Sequence, residues 1–178
     1  MASPPDAKPR RELLTSAARL GLFALGVALV TSRVGLVAHE LVGHGGAAKV
    51  YDAEIREVHL YYTAGGWIGY DRGTPWTWTE AIVVSLAGIA VELVMAALAA
   101  AGAWLAARRG RTALGVALGG AALGLFVHAG FYLAAGVYHG VGDGTLVHRK
   151  LGEARGWVSW PAALLLVAVT YAGARRLG

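Results

Sequence analysis

Cysteine is absent from this 178-residue chain, which excludes a disulfide framework, a thiolate metal ligand and a thiol nucleophile. Charge is sparse too. Asp, Glu, Lys and Arg make up 15% of residues against 56% hydrophobic ones, and the mean hydropathy is +0.52. That balance excludes an ordinary soluble domain and makes an integral, multi-pass membrane protein the expected class. Little sequence remains outside the apolar stretches, so residues 1–178 read as a single membrane-embedded domain. The net charge of +5 does not point to nucleic acid, because the basic residues flank hydrophobic runs and form no stripe with interleaved aromatics. The expected surroundings are instead the lipid bilayer.

A helix needs about 20 mostly apolar residues to cross a bilayer, and four stretches qualify: Leu20 to about Ala38, Ala81–Ala107, Ala113 to about Val137, and Trp157–Gly173. The expected fold is therefore an all-α membrane bundle of four transmembrane helices. Residues 1–12 read as a disordered polar tail. Lys8, Arg10 and Arg11 before an apolar run resemble a signal peptide, but no small-x-small cleavage site follows and the segment is expected to be retained. Between the first two spans, residues 50–71 alternate aromatic and β-branched residues with charges around Gly65-Gly66, which predicts a β-hairpin. From Leu13 to Ala48 the pattern fits either one long helix or a span followed by a shorter helix.

Trp67, Trp76 and Trp78 precede the second span and Trp157 and Trp160 begin the fourth, as expected of rings at the headgroup level. Gly115, Gly119, Gly120 and Gly124 allow close helix packing in the third. With a cytoplasmic N-terminus, nine Lys and Arg residues fall inside and six outside, leaving out Arg33. That bias predicts a cytoplasmic N-terminus.

The chemistry concentrates in His39-Glu40-Leu41-Val42-Gly43-His44. Ionisable groups within a membrane segment are expensive and mark function by default, and a shared metal supplies a reason for three of them. In the usual His-Glu-x-x-His motif the imidazoles are four residues apart, about 40° around the helix axis. Here they are five apart, about 140° on a regular helix. Both rings can reach one ion if the helix widens into a π-bulge or ends near Gly43, and Gly43, Gly45 and Gly46 permit such a distortion. The competing reading is a polar cluster that hydrogen-bonds across helices.

Two carboxylates compete as a third ligand. Asp143, between Gly142 and Gly144, reads equally well as a turn residue. It follows the third span, which ends on the same membrane face as the first, so it can join His39 and His44 and leave one coordination position for water. Glu92, among apolar residues of the second span, ranks behind it as ligand or relay, and His139 is a fallback. His128, Tyr132 and His139 are spaced to share one helix face, which makes His128 and Tyr132 candidates for a supporting network. His59 and His148 read as surface residues.

The six motif residues resemble the His-Glu-x-x-Gly-His zinc motif of the dipeptidyl peptidase III family. The surroundings resemble the site-2 proteases: a hydrophobic helix bearing the motif, small residues, a short β element, then further spans. Ala87-Gly88-Ile89-Ala90-Val91-Glu92 is similar to that family's Ala-Gly-Pro-x-x-Asn, with Ile89 and Glu92 as departures. Gly142-Asp143-Gly144 is similar to its Asp-Gly segment, without the preceding Asn-Pro. The resemblance runs from about Val34 to Val147. It implies an intramembrane zinc metalloprotease that hydrolyses peptide bonds of membrane-protein or peptide substrates, with Zn2+ on His39, His44 and Asp143 and Glu40 as general base. Two other functions fit less of the sequence: a non-catalytic membrane scaffold, chaperone or metal-handling protein, and a di-iron oxygenase, which needs more histidine boxes than six histidines supply.

Overall fold

The computed structural model describes residues 7–62 and 65–177. The first helical run is continuous from Ala7 to Val50: α1 (Ala7–Val37), a π-helix over Ala38–Gly45 that we term π1, and α2 (Gly46–Val50). One long helix is thus what the residues from Leu13 to Ala48 form. Of the polar tail expected over 1–12, the first six residues lie outside the described residues. Ala7–Glu12 are helical, because a long helix propagates cheaply into residues that nothing interrupts.

Next come β1 (Glu54–Leu60) and β2 (Gly66–Asp71), then α3 (Trp78–Arg108) and α4 (Thr112–Phe131). A second π-helix, π2 (Tyr132–Gly136), continues α4 into the single turn α5 (Val137–His139). A short 3-10 turn at Gly142–Gly144 leads to α6 (Thr145–Leu151), and a second at Gly152–Arg155 leads to α7 (Gly156–Leu177). Four helical stretches are long and apolar enough to cross a membrane: Arg11–Val50, Trp78–Arg108, Thr112–His139 and Gly142–Gly173. Large apolar side chains such as Leu22, Leu98, Leu164 and Val167 point outward on them, the pattern of a surface solvated by lipid rather than water.

The second stretch is the central one. In its most apolar window 28% of residues are buried, against 6% for the first and fourth. Its start is fixed by a capping box, in which the Thr77 hydroxyl accepts from the Glu80 amide and Glu80 accepts from the Thr77 amide. Arg72 reinforces that corner, donating to Glu80 at 3.0 Å and to the Pro75 carbonyl at 2.7 Å with its guanidinium over the Trp76 ring. Trp76 in turn packs edge-on against Tyr51 and Tyr70. It is therefore part of a folded corner, whereas Trp78, Trp157 and Trp160 are exposed as rings at an interface would be.

The hairpin is antiparallel, with Ile55 opposite Tyr70 and Val58 opposite Ile68 and a bulge between Ile55 and Glu57. It lies on π1. Any side chain at Gly45 would meet Ile68 Cδ1 and Ile55 Cδ1, and one at Gly66 would meet Glu40 Cγ. Arg33 pins the hairpin from below, donating to the Tyr61 and Tyr62 carbonyls at 2.7 and 2.9 Å.

The glycines of the motif work differently from the sequence expectation. Gly45 and Gly46 have ordinary helical φ of −64° and −63°, so conformational freedom is not what they contribute. What matters is the missing side chain. At Gly43 a Cβ would collide with the backbone of Gly88 and Ala87, so π1 and α3 touch main chain to main chain. Gly43→Ala is expected to destabilise the bundle by about 1–3 kcal/mol through overpacking. Thermal unfolding of the detergent-solubilised chain, followed by tryptophan fluorescence, tests this; an unchanged midpoint would show that the two backbones need not touch.

A candidate metal centre

The π-register decides where the motif histidines point. Hydrogen bonds from i to i+5 place residues five apart on one face, and His39 and His44 meet there with Nε2 atoms 3.2 Å apart. Asp143 completes the group, with Oδ2 2.9 Å from His39 Nε2 and Oδ1 3.3 Å from His44 Nε2. Both histidines are buried and the Asp143 side chain is 18% exposed. Of the third ligands considered, Asp143 is the one brought to the two imidazoles.

These three residues form a group that could hold a metal ion. First-row metals bind His nitrogen and carboxylate oxygen at about 2.0–2.2 Å, which puts neighbouring donors roughly 3.0–3.4 Å apart at octahedral or tetrahedral angles. The observed separations lie in or next to that range. Protonation supports the same reading. The Val84 carbonyl can only accept, so His44 Nδ1 carries a proton and donates to it at 2.7 Å. In the neutral ring that leaves the Nε2 lone pair facing His39 and Asp143. Asp143 Oδ2, although buried and close to His39, has no hydrogen bond among the described residues. Electron pairs thus crowd at one point with too few protons between them, and a cation resolves the conflict.

One face of α3 builds the back of the site. Val84, Gly88 and Glu92 are four residues apart and align along the helix. Val84 holds His44. Gly88 lies under the His39 imidazole so closely that a Cβ would overlap the ring. Glu92, 1% exposed, receives the His128 Nδ1 proton at 2.9 Å and faces His39 Nδ1 at 3.5 Å. It therefore sits behind His39, on the ring edge opposite the donor atom, as an orienting carboxylate rather than a ligand. Ser85, one residue from Val84, donates to the Asp143 carbonyl at 2.6 Å and ties the third-ligand turn to the same helix.

The Asp143 turn is also gripped by π2. Gly144 contacts the Gly136 backbone where no Cβ fits, and Gly142 takes φ +53° against the Tyr132 ring. Tyr132 and His128 stack near each other at 4.9 Å, both 6.3 Å from the His39 ring. They flank the site as expected. His139 does not: it is exposed and its ring packs on Tyr138. The extra residue of π2 turns it off the face that regular helical spacing assigns. His148 is not a plain surface residue either, since it is half-buried and donates from Nδ1 to the Val137 carbonyl at 3.0 Å.

Glu40 is buried beside the two histidines, its Cγ beneath Gly66 of β2 and its carboxylate within electrostatic reach of His39, His44 and Asp143. Tyr70 of β2 feels the same charges: burial first, then Asp143 and Glu40, pushes its phenol above the ordinary value, so it stays a neutral hydrogen-bond donor at physiological pH. Sequence reasoning gave no role to Tyr70, Ser85 or Val84. Gly88 lay in a segment singled out by resemblance, but its contact with His39 is tertiary and no local pattern signals it.

Comparison with protein-family models, curated proteins and solved structures finds no match of either the sequence or the fold.

Gly88→Ala is expected to displace His39 and lower bound metal toward the level of His39→Ala, His44→Ala and Asp143→Ala. Glu92→Gln is expected to weaken metal affinity about 10–100-fold. Elemental mass spectrometry with metal titration of folded protein measures both. Full stoichiometry at unchanged affinity in Gly88→Ala would remove the metal assignment from this cluster.

Proposed function

We propose that this chain is an intramembrane zinc metallopeptidase of the site-2 protease type. The observation that carries the reading is the meeting of His39, His44 and Asp143 donor atoms within 3.3 Å, beside a buried Glu40, in helical stretches long enough to span a membrane. Two imidazoles and one carboxylate favour a transition metal over magnesium or calcium, and three protein ligands with an open position are the donor set of catalytic zinc. Bound there, zinc supplies Lewis acidity, making water a nucleophile near neutral pH and polarising a carbonyl.

The chain's own residues divide the remaining work. Glu40 accepts a proton from water and returns it to the leaving amine. Val84 and Glu92 hold the two imidazoles in the tautomer and orientation that present Nε2. The hairpin over Glu40 offers a strand edge on which an unwound substrate segment can pair in extended form. Burial of the site beneath that hairpin limits water near the reacting bond. With the N-terminus in the cytoplasm, as the Lys and Arg bias favours, the site opens toward the opposite face.

Among the described residues His39 and His44 are the imidazoles at the donor point, while His59, His139 and His148 lie elsewhere. The multi-histidine set of a di-iron oxygenase has no counterpart here.

Glu40→Gln is expected to reduce hydrolysis of a reconstituted single-pass membrane peptide by at least about 100-fold while bound zinc is retained. Cleavage that persists in this variant would show that Glu40 is not the base. A zinc-loaded parent that cleaves no membrane peptide in a library would favour the scaffold or metal-handling function.

A further inference from the structure

A groove of about 520 Å3 runs between α1 and α4, and its occupant can be argued from its shape. Its walls are apolar for most of their length, with Leu20, Phe23 and Val27 on one side and Val116 and Leu125 on the other. It ends against polar groups: Ser32 and Arg33 of α1, His128 of α4, Tyr132 of π2 and Glu92 of α3. The groove exists because α4 carries Gly120 and Gly124 on this face. A Cβ at either would stand 3.7 or 3.9 Å from Val27 or Thr31, so no side chain of α4 fills the space.

Leu20 and Leu36, both in the lining, are separated by roughly 24 Å along a helix rising about 1.5 Å per residue. Spread over that length the volume gives a mean cross-section of roughly 22 Å2. A helix about 10 Å across needs roughly 80 Å2. A strand, about 4.8 Å wide and roughly 10 Å from face to face, needs about 48 Å2. A single hydrocarbon chain, whose carbon atoms contact others at about 4 Å, needs roughly 20 Å2. The groove is therefore too narrow for a peptide and matches one extended acyl chain.

The polar end fits the head of such a chain. The Arg33 guanidinium is held at this end by the Tyr61 and Tyr62 carbonyls, and Ser32 Oγ accepts from it at 2.9 Å. The His128 side chain is 50% exposed, opening into the groove while its Nδ1 is committed to Glu92. Cationic and hydroxyl donors at the end of an apolar slot suit carboxyl or ester oxygens. His39, His44 and Asp143 do not line the groove, so an occupant would lie beside the metal site, touching the pair that stands behind His39.

We infer that the α1–α4 groove is a binding site for a single acyl chain, with its carboxyl or ester oxygens at the Arg33–His128 end. The site stands independently of the peptidase reading. The test is photo-labelling of the full chain in nanodiscs with a diazirine-bearing palmitate, mapped by peptide mass spectrometry. Labels are expected on α1 and α4 facing the groove. Gly120→Leu and Gly124→Leu are expected to lower that labelling at least fivefold and leave labelling of α7 unchanged. Val27→Phe fills the same space from α1 should a glycine variant fail to fold, and retained thermal midpoint and bound metal identify folded protein. Palmitate is expected to compete at least tenfold better than hexadecane. A diazirine phosphatidylcholine that labels the same peptides identifies a bilayer lipid as the source of the chain, and labelling by the fatty acid alone identifies a free fatty acid; either supports the site. Labelling spread evenly over all outward helix faces, labelling that survives the filling variants, or equal competition by hexadecane overturns it.

Discussion

Everything at the centre of this molecule depends on the helical register between Ala38 and Gly45. An α-helix would send His39 and His44 to different sides, one toward α3 and the other away. The i to i+5 pattern brings both onto the surface that faces α3 and the Asp143 turn. A π-helix is disfavoured on its own, so tertiary contacts must hold it. Gly43 against Gly88, Gly45 beneath Ile55 and Ile68, and the His44 hydrogen bond to Val84 each favour this register over the regular one. Helix geometry, interhelical contact and the donor cluster are one arrangement.

α3 is the platform for that arrangement. Its contribution is largely main chain and absence: a carbonyl at Val84, a missing side chain at Gly88, a hydroxyl at Ser85 that grips the backbone of the Asp143 turn. Glu92 is the exception, an ionisable side chain almost fully enclosed. Its cost of burial is offset by His128, whose ring comes from α4, so a third span helps to hold an imidazole of the first. Such cross-span support suits a polar site in lipid, where water cannot complete an unfinished network.

What could be read from the sequence was local. Apolar run lengths located the spans, the Gly65-Gly66 region located the hairpin, and the five-residue interval between His39 and His44 already required a distorted helix. What could not be read was tertiary or depended on a second irregularity. No pattern in Tyr132–Gly136 announces π2, so regular spacing put His139 on a face it does not occupy. Asp143 between glycines was as good a turn residue as a ligand, and only the contacts of Gly144 with Gly136 and of Ser85 with its carbonyl separate the two. Glu92 looked like a ligand because a buried carboxylate needs a partner, and the partner proved to be His128. Trp76 looked like an interfacial ring, but it has Tyr51, Tyr70 and Arg72 around it.

The π1 segment also constrains how the chain can vary in length. Adding or removing one residue between His39 and His44 would turn everything beyond it by about 100° about the helix axis, carrying α2 and the hairpin away from the aromatic corner at Trp76. Substitutions at Leu41 or Val42, whose side chains are exposed, leave that angle untouched. The spacing of the motif is thus as strictly set as its histidines, and loss of a single residue here would be a change of architecture while a change of side chain two positions away would not.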